Sequence, residues 1–294
     1  MADRLAPVVA LVFNAFVWGV SWWPFRELKA QGLHPLWATA LVYLFCLSCA
    51  LVTRRGALAP FAREPRLWLL AAACGLTNVG FNWGVTVGDV VRVVLLFYLM
   101  PAWSVLLAWP MLGEKPTFIK LLRLALALAG VLVVLQTTDT AWPVPQDGAD
   151  WLALAGGFSF ALTNILLRQL RDVPTPSRVV AMFGGGAAAA GLAAIIGVAS
   201  GTVAGLPPPD AGWLLLALAL GTCFLASNLA LQYGAARLAA HVTALVMLSE
   251  VVFASLSSVW LDAAQLTTRT LVGGALILAA AAWSALPEKR TMKA

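Results

Sequence analysis

Glu250 is the one formally charged residue deep inside an apolar segment of this chain, near the middle of the ninth such segment. A charge at that depth costs at least ~2.5 kcal/mol on insertion scales, which makes it a functional candidate by default. Three roles are open to it: a proton-coupling carboxylate, a direct partner for a substrate ammonium, or a neutral acid hydrogen-bonded to another helix. Polar and aromatic residues recur elsewhere at helical spacing, as Trp18, Ser21 and Trp22, as Phe160, Thr163 and Asn164, and as Asn78 and Asn82 beside Phe81. Offsets of three and four share one helix face. Asn228 stands where Asn78 stands, 150 positions later. Two readings fit these stripes. Amides and hydroxyls join helices by hydrogen bonds worth about 0.6 kcal/mol each. Alternatively they line a central cavity, pairing with a substrate's ammonium and carboxylate while Trp18, Trp22 and Tyr98 accept an apolar or aromatic side chain. Tyr98 shares a face with Pro101, while Trp103 points away from it. Pro101 removes a backbone donor from the fourth segment and predicts a kink, either a hinge or a fixed bend.

Ten apolar segments must position these residues, at 6–25, 35–53, 67–88, 93–113, 118–138, 151–168, 179–200, 211–236, 238–261 and 270–286. Most meet the ~17–25 residues needed to span a bilayer. The chain is 61% hydrophobic and 11% charged, whereas a soluble domain carries about 25% charged residues. The expected fold class is therefore an all-α membrane protein of ten transmembrane helices. Thr77–Gly84 is echoed by Ser227–Gly234, with hydroxyl, Asn, amide, aromatic and Gly in the same order. Trp18–Trp22 likewise aligns with Phe160–Asn164, and the register runs on through Arg26-Glu27-Leu28 and Arg168-Gln169-Leu170. One five-helix unit is used twice, over 1–140 and 141–294. Five is odd, so the second unit enters the membrane from the opposite side, as in carriers that expose one site to each face in turn.

The net charge of +6 is an orientation signal. With the N-terminus inside, fifteen Lys and Arg fall on one set of loops and ends, and only Arg26, Lys29, Arg92 and Arg269 on the other. Both termini are then cytoplasmic, and no nucleic-acid patch remains. Cys46, Cys49, Cys74 and Cys223 all lie in apolar spans without His neighbours and read as small buried hydrophobes. No cofactor or metal is expected. His34 and His241 fall on opposite faces, so an intramembrane enzyme lacks an activated nucleophile and is the distant alternative. No ring of charges suggests a channel filter. Trp68, Trp142, Trp151, Trp213, Trp260 and Trp283 fall near span ends and read as interfacial belts. The runs Gly184–Ala190 and Gly273–Ala282 read as close helix packing, in a monomer or a homodimer.

Tyr98-Leu99-Met100-Pro101-Ala102-Trp103, followed by Leu112-Gly113-Glu114-Lys115-Pro116-Thr117, resembles the fourth-helix signature of the EamA-type drug/metabolite transporter superfamily. Ser249–Ala254 through Leu266-Thr267 resembles its ninth-helix version. There the family usually has Glu-Pro, where this chain has Glu250-Val251, and the second Gly-Glu near Ala263 is absent. The resemblance covers about 6–286, and the Trp-rich first helix looks most like the bacterial inner-membrane aromatic amino-acid exporters. It implies export of aromatic and other apolar amino acids across the inner membrane, with another metabolite or drug as the alternative cargo. Membrane lipid and a coupling proton are the other partners expected.

Overall fold

The computed structural model describes residues 2–113, 117–136, 144–235, 237–238, 243, 246–263 and 266–285. Glu114–Pro116 of the resemblance motif, Trp142, His241 and the inter-unit boundary at 140 lie outside them. Helices α1 (Ala2–Val20), α2 (Trp22–Ala30) and α3 (Pro35–Thr53) come first, followed by a 3-10 turn (Arg55–Ala62). Next are α4 (Arg66–Val87), α5 (Val90–Phe97), α6 (Met100–Leu112) and α7 (Phe118–Leu135). The chain continues as α8 (Gly148–Gln169), α9 (Thr175–Ala199), α10 (Ala211–Ala235), α11 (Ser249–Trp260) and α12 (Thr268–Ala285). No strand occurs among the described residues.

Among the described residues, six stretches are long and apolar enough to cross a membrane: Leu5–Ala30, Pro35–Thr53, Val90–Leu112, Gly148–Gln169, Thr175–Ala199 and Ala211–Gly234. Thr268–Ala280 is a shorter apolar helix. Helix α4 is 22 residues long, and its Thr77, Asn78, Asn82 and Thr86 are all buried, so it carries its polar row inside the bundle.

Two of the spans are interrupted, each for a local covalent reason. The first breaks at Ser21, because Pro24 has no N–H to return to the Val20 carbonyl. The Ser21 hydroxyl donates to the Trp18 carbonyl at 2.8 Å and satisfies backbone at the break. The other break, at Tyr98–Leu99, differs from the kink expected at Pro101. Helix α5 ends at Phe97, and α6 restarts at Met100 with Pro101 in its first turn. A missing N–H costs nothing there, because first-turn donors have no helical acceptor. At the start of α3, His34 accepts a hydrogen bond from the Leu36 N–H through Nδ1 at 3.2 Å. Burial, and then nearby Lys29, lowers its pKa below the ordinary value, which keeps the imidazole neutral and able to accept.

Packing joins α4 to α8 and α9, α3 to α9 and α10, α1 to α10 and α11, α8 to α5 and α6, and α7 to α12. Matched under the two-unit alignment, α4–α8 is the counterpart of α10–α1, α4–α9 of α10–α3, and α5/α6–α8 of α11–α1. Helix α5 is the most enclosed element, with every residue except Arg92 buried. Its continuation α6 is open by comparison, with Leu106 47% and Trp109 56% exposed.

Glycine lets the crossings be this close. A Cβ on Gly130 would stand 2.7 Å from the Gly273 carbonyl oxygen, and one on Gly273 would stand 2.7 Å from that of Gly130. Helices α7 and α12 therefore touch backbone to backbone. A Cβ on Gly185 of α9 would run into the Ala71 carbonyl of α4. Backbone cannot swing aside as a flexible side chain can, so overpacking at such a site costs about 1–3 kcal/mol. Gly185→Ala and Gly130→Ala should each lower the midpoint of thermal unfolding in detergent. Gly148→Ala, whose Cβ would meet open space, should hold or raise it. Equal midpoints for all three would show that these crossings are not tight.

Candidate functional site

A chain of rings crosses the bundle interior. Trp18 of α1 stacks on Phe224 of α10, with centroids 4.7 Å apart and planes 16° apart. Its other neighbour is Phe81 of α4, edge-on at 6.1 Å. Phe81 meets Phe97 of α5 at 4.9 Å, and Phe97 meets Phe160 of α8 at 5.5 Å. Edge-to-face and offset contacts at these separations add to the area buried. Tyr98 lies at one end of this series, 6.5 Å from Phe97, and Tyr43 of α3 approaches Phe224 at the other, at 6.0 Å.

The Tyr98 hydroxyl connects the rings to the buried acid. Its oxygen is 3.1 Å from Glu250 Oε2 and 3.2 Å from the Met247 carbonyl, so one proton faces two acceptors. Tyr98 is 2% and Glu250 9% exposed. The break at Tyr98–Leu99 thus sits against the start of α11. Trp22 makes a second link to α11, donating from Nε1 to Ser257 Oγ at 2.9 Å. Arg26 stands 5.1 Å over the Trp22 ring and donates to the carbonyls of Val85 and Gly88, at 3.2 and 2.6 Å.

The amides behave differently. Asn78 accepts a short hydrogen bond from the Tyr43 hydroxyl and donates to the Cys74 carbonyl at 2.7 Å. Asn82 donates to Thr39 Oγ1 at 3.2 Å. Both therefore tie α4 to α3. Thr163 of α8 meets the Cys74 thiol of α4 at 3.5 Å, and Ser21 is used at its own helix break. Asn228, expected to mirror Asn78, accepts instead from Gln232 of its own helix at 2.6 Å. The two aligned asparagines are not bonded alike: α3 presents Tyr43 to Asn78, whereas Asn228 is bonded within its own helix.

Asn164 is a correction. It was expected beside Phe160 and Thr163, and it is exposed while Thr163 is buried. Consecutive helical residues point about 100° apart, so a face that turns Thr163 to α4 turns Asn164 away. Trp213 is another, since it is 4% exposed within the core and donates to the Pro208 carbonyl at 3.1 Å, rather than standing in an interfacial belt. Trp68, Trp151 and Trp260 are exposed at 63%, 62% and 84%, as belt residues would be.

The structure thus brings together Trp18, Trp22, Phe81, Tyr98, Phe160 and Glu250 in and beside one buried cluster. Sequence reasoning missed Phe97, Phe224 and Tyr43. Phe97 carried a signal, lying directly before Tyr98 at the break, but Phe224 and Tyr43 are ordinary members of apolar spans. It also missed Asn14, whose amide donates to the Ser227 hydroxyl and carbonyl at 2.5 and 3.0 Å and fastens α1 to α10. Asn82 Oδ1 and Trp103 Nε1 are buried with no hydrogen-bond partner among the described residues. Trp103 rests edge-on against Phe158 at 5.6 Å. No three His, Cys, Asp or Glu side chains converge as metal ligands among the described residues.

The profile of the EamA-like transporter family matches residues 5–136. No curated protein matches the chain. A solved structure, described only as the crystal structure of a protein, is 20% identical over 97% of this chain and 97% of its own, with a TM-score of 0.59. At that identity the likeness concerns the fold alone. With its apolar spans and its similarity to the EamA-like transporter family over residues 5–136, the chain is a multi-pass membrane protein.

The Tyr43–Asn78 bond separates a structural amide from a substrate-facing one. Tyr43→Phe leaves the buried Asn78 oxygen without its donor, a loss of about 1–3 kcal/mol. The detergent melting midpoint should therefore fall. An unchanged midpoint would mean that Asn78 is satisfied by other means, as a cavity-lining amide in contact with water would be.

Proposed function

We propose that this protein is a secondary transporter that exports amino acids, aromatic and other neutral or apolar ones, across the bacterial inner membrane by alternating access. The EamA-like match over 5–136 supports a transporter of small metabolites. In this reading two inverted five-helix units, 1–140 and 141–294, form ten membrane spans with both termini cytoplasmic. The matched packing pairs support that arrangement. The observation that carries the cargo is the series Phe224, Trp18, Phe81, Phe97 and Phe160, which runs up to the Tyr98–Glu250 pair. Rings offer an apolar or aromatic side chain a stacking surface. A carboxylate and hydroxyl beside them suit the polar end of the same molecule.

Glu250 is assigned to coupling. A carboxyl that exchanges its Tyr98 hydrogen bond for a proton or a substrate ammonium links occupancy to the contact between α5 and α11. Pro101, in the first turn after the break, lets α6 change direction without losing a helical hydrogen bond. Asn78, Asn82, Ser21, Thr163 and Asn228 then serve chiefly to hold the cavity walls, while Asn82 Oδ1 and Trp103 Nε1 are polar atoms left for a substrate or water.

The test is counterflow in proteoliposomes preloaded with unlabelled amino acid, following labelled tryptophan, methionine, threonine and lysine separately. Tryptophan and methionine should accumulate transiently, and lysine should not. Glu250→Gln should retain counterflow but lose the response to an imposed pH gradient, since glutamine copies only the protonated acid. Absence of counterflow for every amino acid, with folded protein, would rule out the cargo. A Glu250→Gln carrier still driven by the gradient would rule out the coupling role.

A further inference from the structure

One buried ionic contact remains that the proposed transport site does not use. Arg92, in the first turn of α5, donates from Nε and Nη2 to the two carboxylate oxygens of Asp150 on α8, both at 2.7 Å. Its Nη1 donates to the Val134 carbonyl at the end of α7 at 2.6 Å. Asp150 Oδ2 also accepts from the Gln146 N–H at 2.9 Å. The Asp150 side chain is 2% exposed and that of Arg92 21%. A buried pair of this kind is held only where further hydrogen bonds satisfy both ions, and here they do.

Three features make the contact more than a packing detail. It joins the two proposed units, since Arg92 and Val134 lie in 1–140 and Asp150 in 141–294. It sits at the start of α5, the enclosed half of an interrupted span, whereas α6 beyond the break is open. The aligned positions also cannot form the same pair: under the repeat alignment Arg92 and Asp150 correspond to Val242 and Val8. An inverted repeat whose aligned positions differ in this way has unequal ends.

We propose that Arg92, Asp150 and the Val134 carbonyl form a latch that closes the bundle at the end bearing Asp147–Asp150, the start of α8, and that each transport cycle must break it. The latch rests on the carrier reading above but not on its cargo. Separating α5 from α8 exposes a carboxylate and a guanidinium to an apolar wall until water reaches them. The equilibrium is thereby biased toward the state closed at this end.

Accessibility tests this without a substrate. In a background with the four native cysteines replaced, Ser21→Cys serves as reporter, and a membrane-impermeant thiol reagent is applied to sealed vesicles of each orientation. The parent should label slowly from the Asp147–Asp150 end. R92Q/D150N removes both charges together, so neither is left buried and unpaired, and should raise that rate roughly tenfold. R92D/D150R exchanges the two charges without adding a thiol, restores the ion pair and should bring the rate back toward that of the parent. Folded R92Q/D150N labelling at the parent rate would overturn the latch. If R92Q/D150N does not fold, folded R92K, which keeps the charge but loses the two-pronged contact, labelling at the parent rate would overturn it. Failure of amino-acid counterflow would leave these rates untouched, so the two proposals fail separately.

Discussion

A polar group inside an apolar bundle has no water to turn to, so it must find a partner on its own helix or on the next. Much of this architecture follows from that constraint. Asn14 fastens α1 to α10, Tyr43 and Thr39 fasten α3 to α4, and Tyr98 brings α5 against α11. Arg92 and Asp150 do the same for α5, α7 and α8. Apolar contact between helices is cheap to exchange for contact with lipid. These bonds are not, and they set which helices are neighbours and at what rotation.

Close approach is the complementary requirement. A hydrogen bond between short side chains on two helices forms only when the backbones come near, and glycine at Gly130, Gly273 and Gly185 permits this. The two devices act in different regions. Glycine crossings make the α7–α12 and α4–α9 contacts, whereas rings and the Tyr98–Glu250 pair occupy the middle, where α5 is enclosed by α4, α7, α8 and α11. A scaffold that is tight where it is glycine-lined, and bonded through a few exchangeable polar pairs elsewhere, suits movement between discrete states.

The break at Tyr98–Leu99 is where these constraints meet. A continuous helix would carry the Phe97 and Tyr98 side chains about 100° apart around one axis. Ending α5 at Phe97 and restarting at Met100 directs Phe97 to Phe81 and Phe160, and Tyr98 to Glu250. Pro101 was a correct marker of irregularity in the sequence, but its position was misjudged by one turn. Proline tells where a helix cannot continue its bonding, and only the packed structure tells whether it bends or stops.

Helical class, apolar spans, the burial of Glu250 and the glycine packing runs were legible from residue type and period alone. They depend on local quantities, namely transfer free energy summed along a segment and the 3.6-residue turn. Trp18, Phe81 and Phe160 were found by the same periodicity. The partners were not legible. Nothing local says that Asn78 faces Tyr43 while its aligned Asn228 faces Gln232, that Asn164 turns away from Thr163's neighbours, or that Arg92 reaches Asp150 across 58 positions. Those depend on the rotation of each helix about its axis and on which helix lies beside it. Both are decided by all the contacts of the bundle together, so only the tertiary structure carries them.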